Sequence, residues 1–144
     1  MTDIDLERFI TAQDGVLSQV DGELAAGRKR SHWMWFIFPQ LAGLGHSSTA
    51  QRYAIADLEQ ARRYLDDPVL GNRLRQHVRL MLQHKTKTAT AILGTPDDMK
   101  FRSSLTLFKA ASSSPEDDRL FQEGLDEFYG GAPDPQTTRL LSDD

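Results

Sequence analysis

Four times along this chain, a residue that favours the cap position of a helix stands directly before a proline. The pairs are Asp67-Pro68, Thr95-Pro96, Ser114-Pro115 and Asp134-Pro135. The cap side chain accepts hydrogen bonds from the free amides of the first turn, and proline is tolerated at the first helical position, where no amide hydrogen is needed. The pattern therefore predicts a helix start at each pair. Since no two segments look like paired strands, we predict an all-α protein.

The apolar spacing between these signals predicts roughly seven or eight helices in a single multihelical domain, residues 1–144. The first helix is predicted from Asp3 or Asp5 to about Ala26. Gly15 and Gly22 lie inside it, and Gly27 is its predicted C-terminal stop. The further helix starts are predicted at Ser47 or Ser48, Asp57, Asp67, Thr88, Thr95, Ser114 and Asp134.

The helix predicted at about residues 96–111 is the centre of the expected fold. Its apolar residues fall on two opposite sides of a helical wheel, Met99, Leu107 and Ala110 on one and Phe101, Leu105 and Phe108 on the other. A helix that is apolar on two sides is buried. The polar residues on this helix therefore need hydrogen-bonding partners in the core.

Residues 28–40, RKRSHWMWFIFPQ, hold both tryptophans and two of the seven phenylalanines, and we call this segment the aromatic block. The apolar run resembles a buried strand, but because it has no strand to pair with we interpret it as a short helix capped by Ser31. This helix has to end at Phe38, because the following proline disfavours a helical conformation there. We expect the aromatic residues to fill the core and the leading cations to lie at its rim.

The composition, 39% hydrophobic and 26% charged, is typical of a globular protein. No cysteine is present, which excludes disulfides and thiolate chemistry. The first residues are acidic and lack an apolar core, so we expect no signal peptide. The longest apolar run, Trp33 to Phe38, is six residues, far short of the roughly 20 that span a bilayer. We therefore expect a cytoplasmic protein without a membrane partner.

The charges are unevenly distributed along the chain. Residues 115–144 contain nine acids and two arginines, whereas the first 114 residues contain fifteen cations and twelve acids. This asymmetry favours an anionic partner for the middle of the chain. It is far too small for duplex nucleic acid, which would require a strongly basic face. The sequence does not identify a protein partner.

The four histidines are His32, His46, His77 and His84, and no two of them have the spacing of a helical ligand pair. We therefore predict no metal site and no cofactor. His77 falls on an apolar helix face, which indicates a core histidine. His32 follows three cations and precedes Trp33, and both burial and the cations favour the neutral ring that a general base needs. The alternative is a histidine that only makes local hydrogen bonds.

Asp97 and Asp98 are adjacent acids, and paired carboxylates can divide acid and base roles. In the first turn of a helix they also stabilise its positive end. We favour this structural role and keep Asp98 as a catalytic candidate. Lys100, with Ser103 and Ser104 after it, lies on the same helix. A partly buried lysine is either paired with an acid or free for an anionic ligand, and the sequence leaves both possibilities open.

Several segments that cover nearly the whole chain resemble one family. They are KRSHWMWFIFPQLAGLG, YAI, YLDDPVLGNRL, ILGTPDDMKFRSSLTLF and FYGGAPDPQT. The family consists of small bacterial and fungal proteins of unknown function, some of them mislabelled as calpastatin. The resemblance implies a multihelical fold of its own type and no proven activity. Polar residues shared with the family are Lys29, His32, Gln40, Asp98, Lys100, Ser103, Ser104 and Thr106.

The fold class and size are also distantly similar to small helical N-glycosidases that act on ADP-ribose-linked or riboflavin-pathway substrates. Our first hypothesis is therefore a pocket for a small anionic ligand, such as a nucleotide or an ADP-ribose derivative. The residues expected to bind it are Arg28, Lys29, Trp33, Trp35, Gln40, Lys100, Ser103 and Ser104. The two leading cations would hold phosphate, and a tryptophan would stack on the base or flank the sugar. In a hydrolase, His32 or Asp98 would activate water or stabilise an oxocarbenium-like centre.

The second hypothesis is a non-enzymatic interaction module, in which the polar cluster is structural. The three cations Arg28-Lys29-Arg30, which we call the basic rim, would then bind an acidic protein partner or another copy of the chain. The sequence leaves open whether the protein is an enzyme. In a ligand pocket, Lys29 and Lys100 should face one cavity without protein partners. In a module, each should already be paired.

Both hypotheses place the same residues together. The aromatic block and the central helix are both too apolar for the surface, so they should meet in the core. We therefore expect Lys29 and His32 beside Lys100 and Ser104. Two neighbouring cations repel each other unless an anion lies between them, so we expect Asp98 or a bound anion there.

Overall fold

The structure, a computed structural model, describes residues 4–142 and contains ten helices in that range. They are α1 (Ile4–Asp14), α2 (Leu17–Ala26), α3 (Met34–Ile37), α4 (Ser48–Arg52), α5 (Leu58–Asp66), α6 (Leu70–Leu82), α7 (Ala89–Leu93), α8 (Asp97–Ala111), α9 (Pro115–Tyr129) and α10 (Pro135–Ser142). In place of a sheet, this part of the chain has a single bridge between Leu41 and Ile55. The prediction of an all-α protein is confirmed.

The predicted caps account for most of the helix starts. The side chains that accept a hydrogen bond from an amide three residues further on are Ser47, Asp57, Asp67, Thr88, Ser114 and Asp134. The prediction for Thr95 is wrong, because its hydroxyl does not cap α8. It donates instead to the carboxylate of Asp98 in the first turn, at 3.5 Å.

The prediction of one long first helix is also wrong. The chain leaves the helical path at Gly15, so that α1 ends at Asp14 and α2 begins at Leu17. Glycine is a poor helix former, and the break allows the two pieces to pack against different partners, α1 against α3 and α2 against α6. The predicted stop at Gly27 is confirmed, since this residue has a φ of 75°.

The aromatic block begins its helix later than predicted. Ser31 does not cap it, because its hydroxyl and amide both donate to Glu23 and α3 starts only at Met34. The predicted end is confirmed, since Phe38 leaves the helical conformation before Pro39. Six of the seven residues from Trp33 to Pro39 are buried, as expected for residues that fill the core.

Helix α8 is central, as predicted. It packs against α5, α7, α9 and α10, and all six residues from Ser103 to Phe108 are buried. The two-sided apolar pattern is only partly right, however. Met99 is 55% exposed, and Ala110 is exposed as well, because both lie near the ends of the helix, outside the buried stretch.

The aromatic block meets α8 through ring contacts. Phe38 lies against Phe101, with ring centroids 4.6 Å apart, and Phe101 also contacts Phe128 on α9. Trp33 is fully buried beside Phe38. The block therefore fixes the segments before and after it against the first turns of α8. In the described part of the chain, no helix has the length and apolar character to cross a membrane.

Candidate functional site

Glu23 on α2 orders the first part of the aromatic block. Its carboxylate accepts four hydrogen bonds of 2.6–3.0 Å, from the amide of Arg30, the amide and hydroxyl of Ser31, and the indole of Trp33. Burial raises the pKa of the Glu23 carboxyl, but these hydrogen bonds outweigh burial and lower the pKa to about 2. The carboxylate of Glu23 thus holds the segment from Arg30 to Trp33 in one conformation.

Asp97 lies between two lysines that are far apart in the sequence. The Nζ atom of Lys29 is 3.0 Å from Asp97 Oδ2, and the Nζ atom of Lys100 is 3.5 Å from Oδ1. Lys29 and Lys100 are therefore brought together as predicted, but neither His32 nor Ser104 takes part in this contact. One carboxylate between the cations reduces their mutual repulsion. Both lysines therefore have a protein partner, and the expectation that a ligand pocket would leave the two unpaired is wrong.

The two lysines differ in how far their charge is satisfied. The side chain of Lys29 is 9% exposed and makes the shorter ion pair, whereas that of Lys100 is 25% exposed and makes the longer one. Each ammonium group also faces a tryptophan. Lys29 Nζ is 5.2 Å from the ring centroid of Trp33, and Lys100 Nζ is 5.5 Å from that of Trp35. Asp97 and Trp33 thus satisfy Lys29, while Lys100 keeps access to solvent.

Our first choice of Asp98 for the acid between the lysines is wrong. Its carboxylate accepts hydrogen bonds from the hydroxyls of Thr90, at 2.6 Å, and Thr95. Residues three apart on a helix are neighbours and residues two apart are not, so it is Asp97 that can reach Lys100. This signal was present in the sequence.

An open groove lies beside Lys100, between the loop after α3 and the first turns of α8 and α10. It encloses about 600 Å³, within the usual range for small-molecule sites. Its polar lining residues are Gln40, Lys100, Arg102, Ser103, Asp134 and Gln136. Its apolar lining residues are Leu44, Pro96, Met99 and Pro135. Three residues of the predicted ligand set, Gln40, Lys100 and Ser103, are therefore brought together here.

The groove contains more unpaired positive than negative charge. Arg102 donates from Nε to the backbone oxygen of Ala132 and lies over the ring of Tyr129, and within residues 4–142 no carboxylate forms an ion pair with it. Asp134 is buried, and its Oδ2 accepts hydrogen bonds from the amide and hydroxyl of Thr137 at the start of α10. Asp134 is therefore engaged in capping, while the guanidinium of Arg102 has no counter-ion among the described residues.

Gln40 has a fixed backbone and a free side chain. Its carbonyl oxygen accepts from the amide of Ile55 at 2.8 Å. The side-chain amide makes no hydrogen bond to any described residue, although it lies in the groove wall. Trp35 is on the other side of Gln40, where both residues line a small second cavity. Trp35 therefore supports the groove through Lys100 and Gln40 and does not line it directly.

The other predicted site residues lie outside the groove. Arg28 lies in a separate surface depression with Arg30. Ser104 is buried, and its hydroxyl has no hydrogen-bonding partner among residues 4–142. His32 is exposed, with its ring centroid 6.5 Å from that of Trp35. The two catalytic candidates, His32 and Asp98, are not brought together in one cavity.

His77 is buried, as the sequence predicted. Its Nε2 is 3.1 Å from Asp21, and burial lowers the pKa of the imidazole more than the nearby Asp21 raises it. Its other ring nitrogen, Nδ1, makes no hydrogen bond within the described part of the chain. Across the described residues, no group of three or more histidine or acidic side chains is placed to hold a metal ion.

Three residues of this region were missed by sequence reasoning. Arg102 was not among the predicted site residues, and Asp134 was predicted only as a helix cap. Glu23 carries no local signal, because its partners lie seven to ten residues further on and are brought back to it by the turn after α2.

Fold and groove together define a small multihelical protein with a polar cleft beside a buried central helix. The chain belongs to the family described as "Protein of unknown function (DUF1810)", whose model matches residues 3–141. It is similar to the crystal structure of the conserved hypothetical protein Rv1873 from Mycobacterium tuberculosis, with 46% sequence identity, a TM-score of 0.92 and 96% of each chain covered. No functionally curated protein matches the sequence.

Proposed function

We propose that the groove beside Lys100 binds a small anionic ligand of the nucleotide or ADP-ribose class. The observation that carries this proposal is the convergence of Lys100, Arg102 and Gln40 in one cavity, where none of the three is fully satisfied by the protein. An ammonium group and a guanidinium group are common partners of phosphate oxygens, and a free amide offers both a donor and an acceptor to another part of the ligand.

The positive charge of the groove comes from Lys100 and Arg102. The two helix starts that line it add little, because Asp97 and Asp98 stand in the first turn of α8 and Asp134 caps α10. Asp97 also offsets part of the charge of Lys100, but it shares its carboxylate with Lys29 at the shorter distance. Lys100 therefore retains charge for a ligand.

The proposal is for binding and assigns no hydrolytic step. An N-glycosidase-type reaction needs an acid or base close to the reacting centre. His32 lies at the surface beside Trp35, and the Asp98 carboxylate is held by two threonine hydroxyls. Neither side chain lines the groove.

Thermal denaturation with and without test ligands examines the proposal. AMP, ADP-ribose and inorganic pyrophosphate are each added to the wild type, Lys100→Gln and Arg102→Gln. At about 100 times its dissociation constant a ligand adds about 2.7 kcal/mol of stability, which raises the Tm of a domain this size by roughly 5–10 °C. We expect both variants to lose most of this increase.

The matched control is Arg62→Gln, which removes an exposed cation from α5, away from the groove. It should keep the full increase in Tm. No increase with any of the three ligands, or an increase that Lys100→Gln and Arg102→Gln retain, would refute the proposal.

A second candidate function, an interaction module, is favoured by a different observation. Both Lys29 and Lys100 have a carboxylate partner, as expected for a structural polar core, while Arg28 and Arg30 remain exposed. In this case the basic rim would bind the acidic segment 115–144 of another copy. Sedimentation velocity should then detect a dimer that dissociates at high salt and in the double variant Arg28→Ala, Arg30→Ala. A monomer at all concentrations would exclude self-association.

A further inference from the structure

Met99 is a large apolar residue that lies at the surface, outside the buried stretch of α8. Only two large hydrophobic side chains in the described part of the chain are exposed, Met99 at 55% and Val69 at 38%. Val69 lies in the turn between α5 and α6, where α6 begins. Met99 lies in the first turn of α8 and lines the groove.

Three further apolar residues line the groove together with Met99. Leu44, Pro96 and Pro135 line the same cavity, and each comes from a different segment of the chain. Leu44 belongs to the loop after α3, which is pinned by the hydrogen bonds that Ile55 exchanges with Gln40 and Ala42. The apolar surface is thus built on fixed backbone, next to the cations of the groove.

The side chain of Gln40 adds directional chemistry to this surface. A glutamine amide presents a hydrogen-bond donor and an acceptor side by side, and this pair matches the edge of a nucleobase such as adenine. A phosphate group would use only the donor. A ligand group with an apolar face and a polar edge would therefore match both the exposed Met99 and the free amide of Gln40.

We propose that Met99 and Leu44 form a platform for the planar base of the ligand and that Gln40 pairs with the edge of that base. This inference rests on the proposed function, in which Lys100 and Arg102 hold the anionic group. It adds that the site selects base-bearing nucleotides over sugar phosphates of equal charge. Met99 and Gln40 are then the residues that determine specificity.

Isothermal titration calorimetry with AMP and ribose 5-phosphate tests this inference, because the two ligands share the phosphate and the sugar and differ in the base. We expect the wild type to bind AMP more tightly. Met99→Ser should reduce the affinity for AMP about fivefold to tenfold, since it removes a side chain that the base would bury. Gln40→Met, which keeps the size but removes the amide, should also weaken AMP binding. Neither variant should change the affinity for ribose 5-phosphate.

Val69→Ser is the matched control, because it truncates the other exposed hydrophobic residue, and it should bind both ligands like the wild type. Equal affinity of the wild type for the two ligands would overturn this inference and leave the proposed function intact. The same holds if Met99→Ser weakens both ligands equally, because Met99 would then not read the base. Failure of the wild type to bind AMP, ribose 5-phosphate and pyrophosphate would overturn the proposed function and this inference together.

Discussion

Trp33 and Trp35 are two residues apart, and each faces a lysine that pairs with Asp97. Their surroundings nevertheless differ. Trp33 is fully buried, its indole nitrogen donates to Glu23, and its lysine is 9% exposed. Trp35 is half-buried, and its lysine lies in an open groove. A lysine–tryptophan pair therefore lies on each side of Asp97. The Lys29–Trp33 pair is part of the core, and the Lys100–Trp35 pair is partly exposed to solvent.

This difference separates stability from binding within a single polar cluster. A nearly buried ion pair is costly to break, because removal of one partner leaves the other charge without compensation. A more exposed pair contributes little to stability, and its cation is available to a ligand. We therefore expect substitutions on the Trp33 side to affect folding and those on the Trp35 side to affect binding.

The largest expected effect is that of the tryptophans themselves. Trp33→Ala should lower the free energy of unfolding by about 3–5 kcal/mol, because it leaves a large cavity and removes a donor to Glu23. Trp35→Ala should cost about 1–2 kcal/mol, since less of its surface is buried. Urea unfolding measures both values. A cost below about 1 kcal/mol for Trp33→Ala would place this residue in the ligand site instead of the core.

The lysines should show the same contrast on a smaller scale. Lys29→Ala should cost about 1–3 kcal/mol of stability, whereas Lys100→Ala should cost less than about 1 kcal/mol. Urea unfolding of the single variants and of each combination with Asp97→Ala gives the two coupling energies. The coupling of Asp97 to Lys29 should be the larger one. Equal couplings would mean that Asp97 serves both cations alike, contrary to the division proposed here.

The smallest expected effect concerns pH. The pKa of Glu23 is about 2 in the folded protein and 4.5 when unperturbed, so the unfolded state binds the proton more readily. The stability that the Glu23 carboxylate contributes is therefore complete above pH 4.5 and is lost as the pH falls towards 2.

Urea unfolding between pH 6 and pH 3 measures this contribution. Glu23→Gln should reduce the loss of stability on acidification, and the matched control Glu123→Gln, on the exposed face of α9, should leave it unchanged. An unchanged pH dependence in Glu23→Gln would show that the Glu23 carboxylate does not stabilise the segment from Arg30 to Trp33.

Local signals in the sequence were sufficient for most of the helix starts. A cap side chain contacts an amide three residues away, and the sequence displays such a spacing directly. Six of the predicted cap positions were therefore found in place. The break at Gly15 was missed, because the packing of α1 and α2 on different helices decides it.

The candidate site was predictable only in part. The meeting of Lys29 and Lys100 followed from the need of buried polar groups for partners, and the spacing of Asp97 from Lys100 could have identified the acid. The groove itself depends on the relative placement of three distant segments, which carry Gln40, Lys100 and Asp134. No local pattern encodes that placement.

We expect a ligand to bind beside Lys100 and Trp35, in the groove, and not beside Lys29 and Trp33, in the core. The chain has two tryptophans, so a proton–nitrogen correlation spectrum contains two indole signals, which Trp35→Phe assigns. Titration with AMP should shift the Trp35 signal through Lys100 and Gln40 and leave the Trp33 signal in place. A shift of the Trp33 signal alone, or no shift of either signal at saturating AMP, would contradict the account.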